Sequence, residues 1–133
     1  FARFTAAADR GDAAARIVEA MTAHPFMVGG SGRTCTDVMT AAGDRAWVKL
    51  GAEGVYVGGL RGRGIGFAIK VTDGGRRAVE VALIRVLHGL GALTDAEAVS
   101  LSRHGRPEVR NTRGDVVGEI RAAFDFELRS MEA

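Results

Sequence analysis

The sequence predicts an α+β fold in which an antiparallel β-sheet is flanked by helices. The chain has 133 residues, the size of one ordinary domain, so we expect residues 1–133 to form a single domain. Segments with helical periodicity come first, runs of β-branched and aromatic residues separated by glycines follow, and further helical segments and one strand complete the chain. This order is typical of an α+β fold, because a parallel sheet would alternate single strands with helices.

Two helices are predicted before residue 46. Apolar residues recur at helical spacing from Asp12 to Ala23, and the helix ends at His24 because a residue before proline is displaced from the helical region. Residues 26–28 then form an apolar anchor that leads into a flexible glycine-rich loop. Thr34 and Asp37 have the spacing of a capping box, which opens a second helix with Val38, Met39 and Ala42 on its buried face.

The glycine-rich loop, residues 29–34, leaves two functions open. Free N–H groups of the helix that follows could hold an anion or a carboxylate. The loop lacks the Gly-Lys-Ser/Thr ending of a phosphate-binding loop, so a mobile connector is the alternative.

Three strands are predicted between residues 46 and 71. The strand-like runs are Trp47-Val48 with Leu50, Val55-Tyr56-Val57, and Ile65 to Val71. The breaks at residues 51–54 and 60–64 are short enough for hairpins, so we expect an antiparallel meander.

The remaining chain predicts helices and one more strand. The longest helical pattern runs from Arg76 to Leu90, and a shorter helix runs from Asp95 to Ser102 with Thr94 or Asp95 as its cap. Residues 109–114 are expected to form a turn and residues 116–121 a strand. The tail, residues 122–131, fits either a strand or a helix, and we expect it to continue as strand.

Composition and charge exclude several partners. With 18 basic and 16 acidic residues, and no basic stripe with interleaved aromatics, no nucleic-acid partner is expected. No segment is long and apolar enough to span a bilayer, so we expect a soluble protein without a membrane partner. Because Cys35 is the only cysteine, no intrachain disulfide can form, and we expect a cytoplasmic location. The histidines and Cys35 lack ligand spacing, so no metal site is expected within the chain.

Lys49 and the glycines after it form the most informative motif, Val48-Lys-Leu-Gly-Ala-Glu-Gly-Val55. We expect Lys49 on an inward strand position, where its ammonium must be paired or have its pKa lowered. Gly51 and Gly54 then allow the backbone to turn sharply and approach a ligand. The alternative is an edge-strand lysine before an ordinary turn.

Cys35 and the serines complete the candidate chemistry. The thiol of Cys35, at the start of a helix, is either reactive or simply a small buried side chain. No serine in the sequence is followed three residues later by lysine, so a serine activated in a Ser-x-x-Lys motif cannot come from this chain. Since the chain also starts at Phe1 without an initiator methionine, we expect it to be a piece of a longer protein.

Four segments resemble the Rhizobium-type thermolabile L-asparaginases, and the similarity extends over nearly the whole chain. The segments are Met21-Thr-Ala-His-Pro-Phe-Met-Val-Gly-Gly30, Gly32-Arg-Thr-Cys35, the Lys49 motif, and Gly64-Ile-Gly-Phe-Ala-Ile-Lys-Val-Thr-Asp-Gly74. That family is much longer, and this chain looks like its C-terminal portion. The resemblance implies a serine β-lactamase-like, glutaminase-like fold and hydrolysis of L-asparagine to L-aspartate and ammonia.

The resemblance also implies roles for individual residues. Lys49 matches the family lysine that works beside a serine, and Ala52 occupies the position that donates a backbone N–H to the oxyanion. Leu50 departs from the Thr or Ser of the wider superfamily, which puts a hydroxyl contact to a substrate carboxylate in doubt. Cys35 matches a cysteine near the pocket. The residues expected to surround the substrate are therefore Cys35, Gly51, Ala52, Glu53 and Gly54.

The serine nucleophile and the zinc-binding cysteines of the family have no counterparts here. We therefore expect them upstream, with zinc bound, if at all, in the complete enzyme, and we expect the isolated chain to be inactive. The expected partners are L-asparagine, the missing N-terminal segment and further copies of the chain in a homo-oligomer. The alternatives are a glutaminase or other amidase, and a non-catalytic binding or assembly module on the same scaffold.

Overall fold

The computed structural model describes residues 13–126, which form helices and two antiparallel sheets, so the α+β prediction is confirmed. The predicted helix residue Asp12 and the predicted strand residues 127–131 lie outside this range. The helices are α1 (Ala13–Ala23), α2 (Pro25–Gly29), α3 (Thr34–Ala42), α4 (Arg76–Gly89), α5 (Asp95–Ser100) and α6 (Ser102–Gly105), with a 3-10 turn at Gly43–Arg45. The strands are β1 (Ala46–Gly51), β2 (Val55–Leu60), β3 (Ile65–Lys70), β4 (Glu108–Arg110) and β5 (Val116–Glu119).

The first helix ends at Ala23, before Pro25, as predicted. The apolar anchor predicted over residues 26–28 is wrong for Phe26 and Met27, whereas Val28 is half-buried and packs against the core. Pro25 instead begins the short helix α2, where its missing N–H is not needed because first-turn N–H groups have no partner within the helix. The side chains of Phe26 and Met27 are 59% and 82% exposed, so they do not anchor the loop.

Helix α3 has the buried face that was predicted, with Val38, Met39 and Ala42 in the core. The capping box predicted for it is wrong. Arg33 is the N-cap residue and makes no side-chain capping bond, while Thr34 is the first residue inside the helix. The Thr34 hydroxyl and the Asp37 carboxylate contact His104 instead, because a buried tertiary partner takes the place of the backbone N–H groups.

The three-stranded meander is confirmed. Strand β2 pairs antiparallel with both neighbours in the order β1-β2-β3, with Lys49 opposite Val57 and Leu50 opposite Tyr56. The sheet contributes Val48, Tyr56 and Leu60 to the core. They share it with apolar residues from the helices, among them Val18, Val38, Met39, Val79, Leu83 and Leu87.

Helices α4 and α5 match the predicted segments closely. The cap predicted at Thr94 is present, since its side chain accepts from the Glu97 N–H and the Glu97 carboxylate accepts from the Thr94 N–H at 2.8 Å. Helix α6 follows directly and contributes His104 to the interior. None of the helices in residues 13–126 is long and apolar enough to cross a bilayer.

A second hairpin ends the described chain. Strands β4 and β5 pair antiparallel, and their side chains are exposed. The turn predicted over residues 109–114 is wrong at residues 109 and 110, which belong to β4, because a three-residue strand carries too little periodicity to be recognised. Residues 122–126 form no regular structure, so the predicted continuation of the strand is wrong there.

Candidate functional site

Lys49 lies at the end of β1 with its side chain exposed, so the expectation of an inward position is wrong. Side chains alternate along a strand, and the buried Val48 assigns Lys49 to the opposite face. The Lys49 Nζ donates to the carbonyl oxygen of Leu50 at 3.0 Å. Within residues 13–126 no carboxylate forms an ion pair with it.

The turn after β1 has the sharp shape that its glycines predict. Glu53 and Gly54 have positive φ values of 56° and 67°. A Cβ on Gly54 would lie 2.3 Å from Val71 Cγ2, so only glycine fits this position. Gly51 lacks a positive φ, and a Cβ there would lie 3.2 Å from the Val55 Cβ. We call residues 49–54 the corner.

Cys35 is buried beside the corner, with 3% of its surface exposed. Its Sγ accepts the Leu50 N–H at 3.3 Å and lies 3.7 Å from the Tyr56 hydroxyl. Burial, and then the neighbouring thiol, raise the pKa of Tyr56, so the phenol stays protonated. The buried alternative for Cys35 is therefore confirmed, and the thiol occupies the free edge of β1.

The structure thus brings the predicted site residues to one end of the sheet. Ala52 and Glu53 are exposed, and the Glu53 carbonyl accepts from Lys70 Nζ at 2.7 Å, which ties the turn to β3. An amine can accept a hydroxyl proton, or stabilise a developing negative charge when it is protonated. Two such amines lie at the corner, that of Lys49 within it and that of Lys70, which bonds to the Glu53 carbonyl.

A second group of polar residues was missed by the sequence analysis. Thr34 Oγ1 lies 3.0 Å from His104 Nδ1, and His104 Nε2 lies 2.5 Å from Asp37 Oδ2. Arg103 also donates to the Asp37 carboxylate. Thr34 and His104 are 1% and 7% exposed. We call Thr34, Asp37, Arg103 and His104 the polar cluster.

Charge and hydrogen bonding within the polar cluster support one another. Burial alone would raise the pKa of Asp37, but hydrogen bonds from Arg103 and His104 hold it below its ordinary value. His104 Nε2 faces two groups, the Asp37 carboxylate, which only accepts, and the Arg103 Nε–H, which donates towards it at 3.1 Å. The Thr34 hydroxyl can donate or accept, so it pairs with Nδ1 in either tautomer of the ring. The one sequence signal for this cluster is the three-residue spacing of Thr34 and Asp37, which puts both on one helix face.

The described residues do not fit the zinc site that the resemblance suggests for the complete enzyme. Within residues 13–126 no three His, Cys, Asp or Glu side chains are grouped so that they could hold a metal ion. The Cys35 thiol already contacts Leu50 and Tyr56, and His88 pairs with Asp95 at 2.7 Å. No chemical step is therefore derived through zinc.

Two cavities open elsewhere on the surface. One of about 640 Å³ lies between α4, α5 and α6, and one of about 670 Å³ lies beside the second hairpin. Neither is lined by a residue of the corner. In the corner itself Lys49, Gly51, Ala52 and Glu53 are exposed, Leu50 is half-buried and Gly54 is buried.

A family model described as L-asparaginase II matches residues 1–122. The match includes Cys35, the corner and the polar cluster, and it covers most of the chain. A search of curated proteins found no match.

Proposed function

Because this chain belongs to the L-asparaginase II family, we propose that it forms part of an amidohydrolase that converts L-asparagine to L-aspartate and ammonia. The family match over residues 1–122 is the observation that carries the proposal. The corner adds support, because it places an amine and a sharply turned backbone at one edge of the sheet.

The reaction that we propose uses a serine from outside this sequence. The serine oxygen adds to the side-chain amide carbon of asparagine, and its proton passes to a base. The tetrahedral intermediate then breaks its C–N bond, the leaving nitrogen takes up a proton, and ammonia departs. Water hydrolyses the remaining ester to aspartate and free serine. The absence of a Ser-x-x-Lys motif from the 133 residues supports an external serine.

We assign Lys49 to the proton transfer or to stabilisation of the developing charge. A base function needs a neutral amine, and removal of an amine from water favours its neutral form. Residues outside this sequence would supply that desolvation by covering the exposed side chain of Lys49. This covering is part of the proposal, since the described residues leave Lys49 open.

Ala52 is the proposed oxyanion donor, through its backbone N–H. Gly51, Glu53 and Gly54 shape the turn that presents it, and the buried thiol of Cys35 holds the adjacent Leu50 N–H. The side chain of Leu50 has no hydroxyl, so we expect the substrate carboxylate to be bound by other groups.

An upstream segment has a place to pair in this structure. Strand β3 is an edge of the three-stranded sheet within residues 13–126, so its outer backbone groups can accept a further strand. We propose that the upstream segment extends the sheet there and brings the serine to the corner. We also propose that the complete enzyme is a homo-oligomer, which light scattering can measure.

Ammonia release tests the proposed function. Purified 133-residue chain and the complete protein are each incubated with L-asparagine and, separately, with L-glutamine. We expect release from asparagine by the complete protein and none by the isolated chain. Turnover by the chain alone would contradict the external serine. A preference for glutamine would favour a glutaminase, and no turnover of either substrate by the complete protein would favour the non-catalytic module.

A further inference from the structure

The first two residues of α3 are linked to two different elements of the structure. Thr34 directs its hydroxyl to His104 on α6, while Cys35 directs its thiol to the backbone of β1. Both residues are buried, at 1% and 3% exposure. A shift of this end of the helix would therefore be felt at both contacts, because close-packed interiors transmit displacements.

His104 holds Thr34, and with it the beginning of α3, against α6. Its ring is held between Thr34 and Asp37, so both ring nitrogens have partners. Arg103 binds the same carboxylate from the preceding position of the chain. Since Thr34 and Asp37 both belong to α3, the two bonds from one imidazole fix the rotation of this helix relative to α6.

Cys35 provides the contact between α3 and β1. The Leu50 N–H points away from β2 and donates to Sγ at 3.3 Å, so the thiol takes the place of a neighbouring strand. Leu50 directly follows Lys49 and lies two residues before Ala52. The position of α3 thus sets the path of the backbone that carries both proposed catalytic groups.

A threonine, a histidine and an aspartate in hydrogen-bonded sequence also suggest a nucleophilic triad. The burial of Thr34 excludes this function, because a substrate carbonyl cannot reach a hydroxyl that is 1% exposed. The polar cluster is therefore suited to support and not to chemistry.

We propose that His104 is a positioning residue which, through Thr34 and Cys35, holds the end of β1 in the geometry that the reaction needs. This inference rests on the proposed function for its catalytic part. Its structural part, the link from His104 to the Leu50 N–H, can be measured independently of any activity.

Hydrogen exchange in the complete protein tests the structural part. Thr34→Val removes the hydroxyl and keeps the shape, Thr34→Ser keeps the hydroxyl, and Thr40→Val makes the same change at an exposed position of α3. We expect the Leu50 amide to exchange about tenfold faster in Thr34→Val, the factor that one net hydrogen bond represents, and at the wild-type rate in the other two. The Leu83 amide in the core reports global unfolding.

Two results would overturn the link. One is an unchanged Leu50 rate in Thr34→Val, and the other is an equal increase at Leu50 and Leu83, which would indicate only a less stable protein. If Thr34→Val fails to fold, Asp37→Ala decides by the same criteria. It removes the carboxylate that holds His104 Nε2, so an increase confined to Leu50 supports the link, and no increase or an equal one contradicts it.

Kinetics with asparagine test the catalytic part. We expect kcat to fall about tenfold in Thr34→Val with KM changed less than about twofold, and Thr34→Ser to restore kcat. A normal kcat alongside fast Leu50 exchange would contradict the positioning role. A wild-type protein without turnover would refute the proposed function, while the exchange data would still decide whether the link exists.

Discussion

The corner and the polar cluster lie near each other but differ in how their groups are satisfied. In the corner, Lys49 is exposed, and its one hydrogen-bond partner within residues 13–126 is the carbonyl of its neighbour Leu50. In the polar cluster, His104 and Thr34 are buried and bonded to each other. The difference indicates that the two regions have different functions. The corner exposes the reactive amine of Lys49, and the polar cluster holds the backbone of β1 in place. Changes to the exposed side chains of the corner should therefore affect mainly the rate, and changes to the side chains of the polar cluster should affect mainly the stability.

The largest loss of stability is expected from Gly54→Ala, which tests whether the corner backbone is rigid although its side chains are open. The added Cβ would lie 2.3 Å from Val71 Cγ2 and would have to adopt a φ of 67°. Overpacking and left-handed backbone together should lower the free energy of unfolding by roughly 2–4 kcal/mol. Denaturant unfolding measures this.

Gly62→Ala is the matched control, because Gly62 has a φ of 69° but open space around it. Gly62→Ala should lower the free energy of unfolding by about 1–2 kcal/mol, the cost of the left-handed backbone alone. Equal losses of unfolding free energy in both variants would show that the close approach of Gly54 to Val71 does not contribute to the loss.

A smaller loss is expected from Asp37→Ala in the polar cluster. The change leaves the buried His104 Nε2 without the Asp37 carboxylate, which should cost about 1–3 kcal/mol of unfolding free energy. Asp44→Ala, at an exposed position, should change stability by less than about 0.5 kcal/mol. If Asp37→Ala and Asp44→Ala unfold alike in heat and in denaturant, the polar cluster does not contribute to stability.

The pH dependence of stability is a second test of the contribution that Asp37 makes. Because the folded-state pKa of Asp37 lies below its ordinary value of 3.8, its ionised form contributes stability that is complete above that value. This contribution is lost as the pH falls through the folded-state pKa. The stability difference between wild type and Asp37→Asn should therefore be constant near neutral pH and shrink in acid below about pH 4. A difference that persists unchanged to pH 2 would contradict this assignment.

The smallest effect is expected at the exposed apolar residues of α2. Met27 is 82% exposed, so Met27→Ser should change the unfolding free energy by less than about 0.5 kcal/mol. A loss of unfolding free energy above about 1 kcal/mol would show that Met27 does anchor this segment, as the sequence predicts.

Much of the sheet could be predicted because its signals are local. Glycine clusters at residues 51–54 and 60–64 separate β-branched runs, and two hairpins join these runs as expected. The cap at Thr94 was predictable for the same reason, since a capping box is complete within four residues. The short elements α2 and β4 were missed because a few residues carry too little periodicity.

The polar cluster could not be predicted because its partners are distant in sequence. Thr34 and His104 are 70 positions apart, and the spacing of Thr34 and Asp37 fits a capping box as well as a shared helix face. Only the fold decides between these interpretations. The orientation of Lys49 could not be predicted from its neighbours either, because Trp47 and Val48 lie on opposite faces of β1 and both are buried.

The kcat of the complete protein with L-asparagine, compared between wild type and Lys49→Ala, tests the account most directly. We predict a loss of at least about 100-fold, the usual scale of lost acid–base assistance, with the free energy of unfolding changed by less than about 0.5 kcal/mol. Arg77→Ala, at an exposed position of α4, is the control and should retain the wild-type rate. A Lys49→Ala protein with wild-type kcat would remove the corner from the reaction and contradict the account.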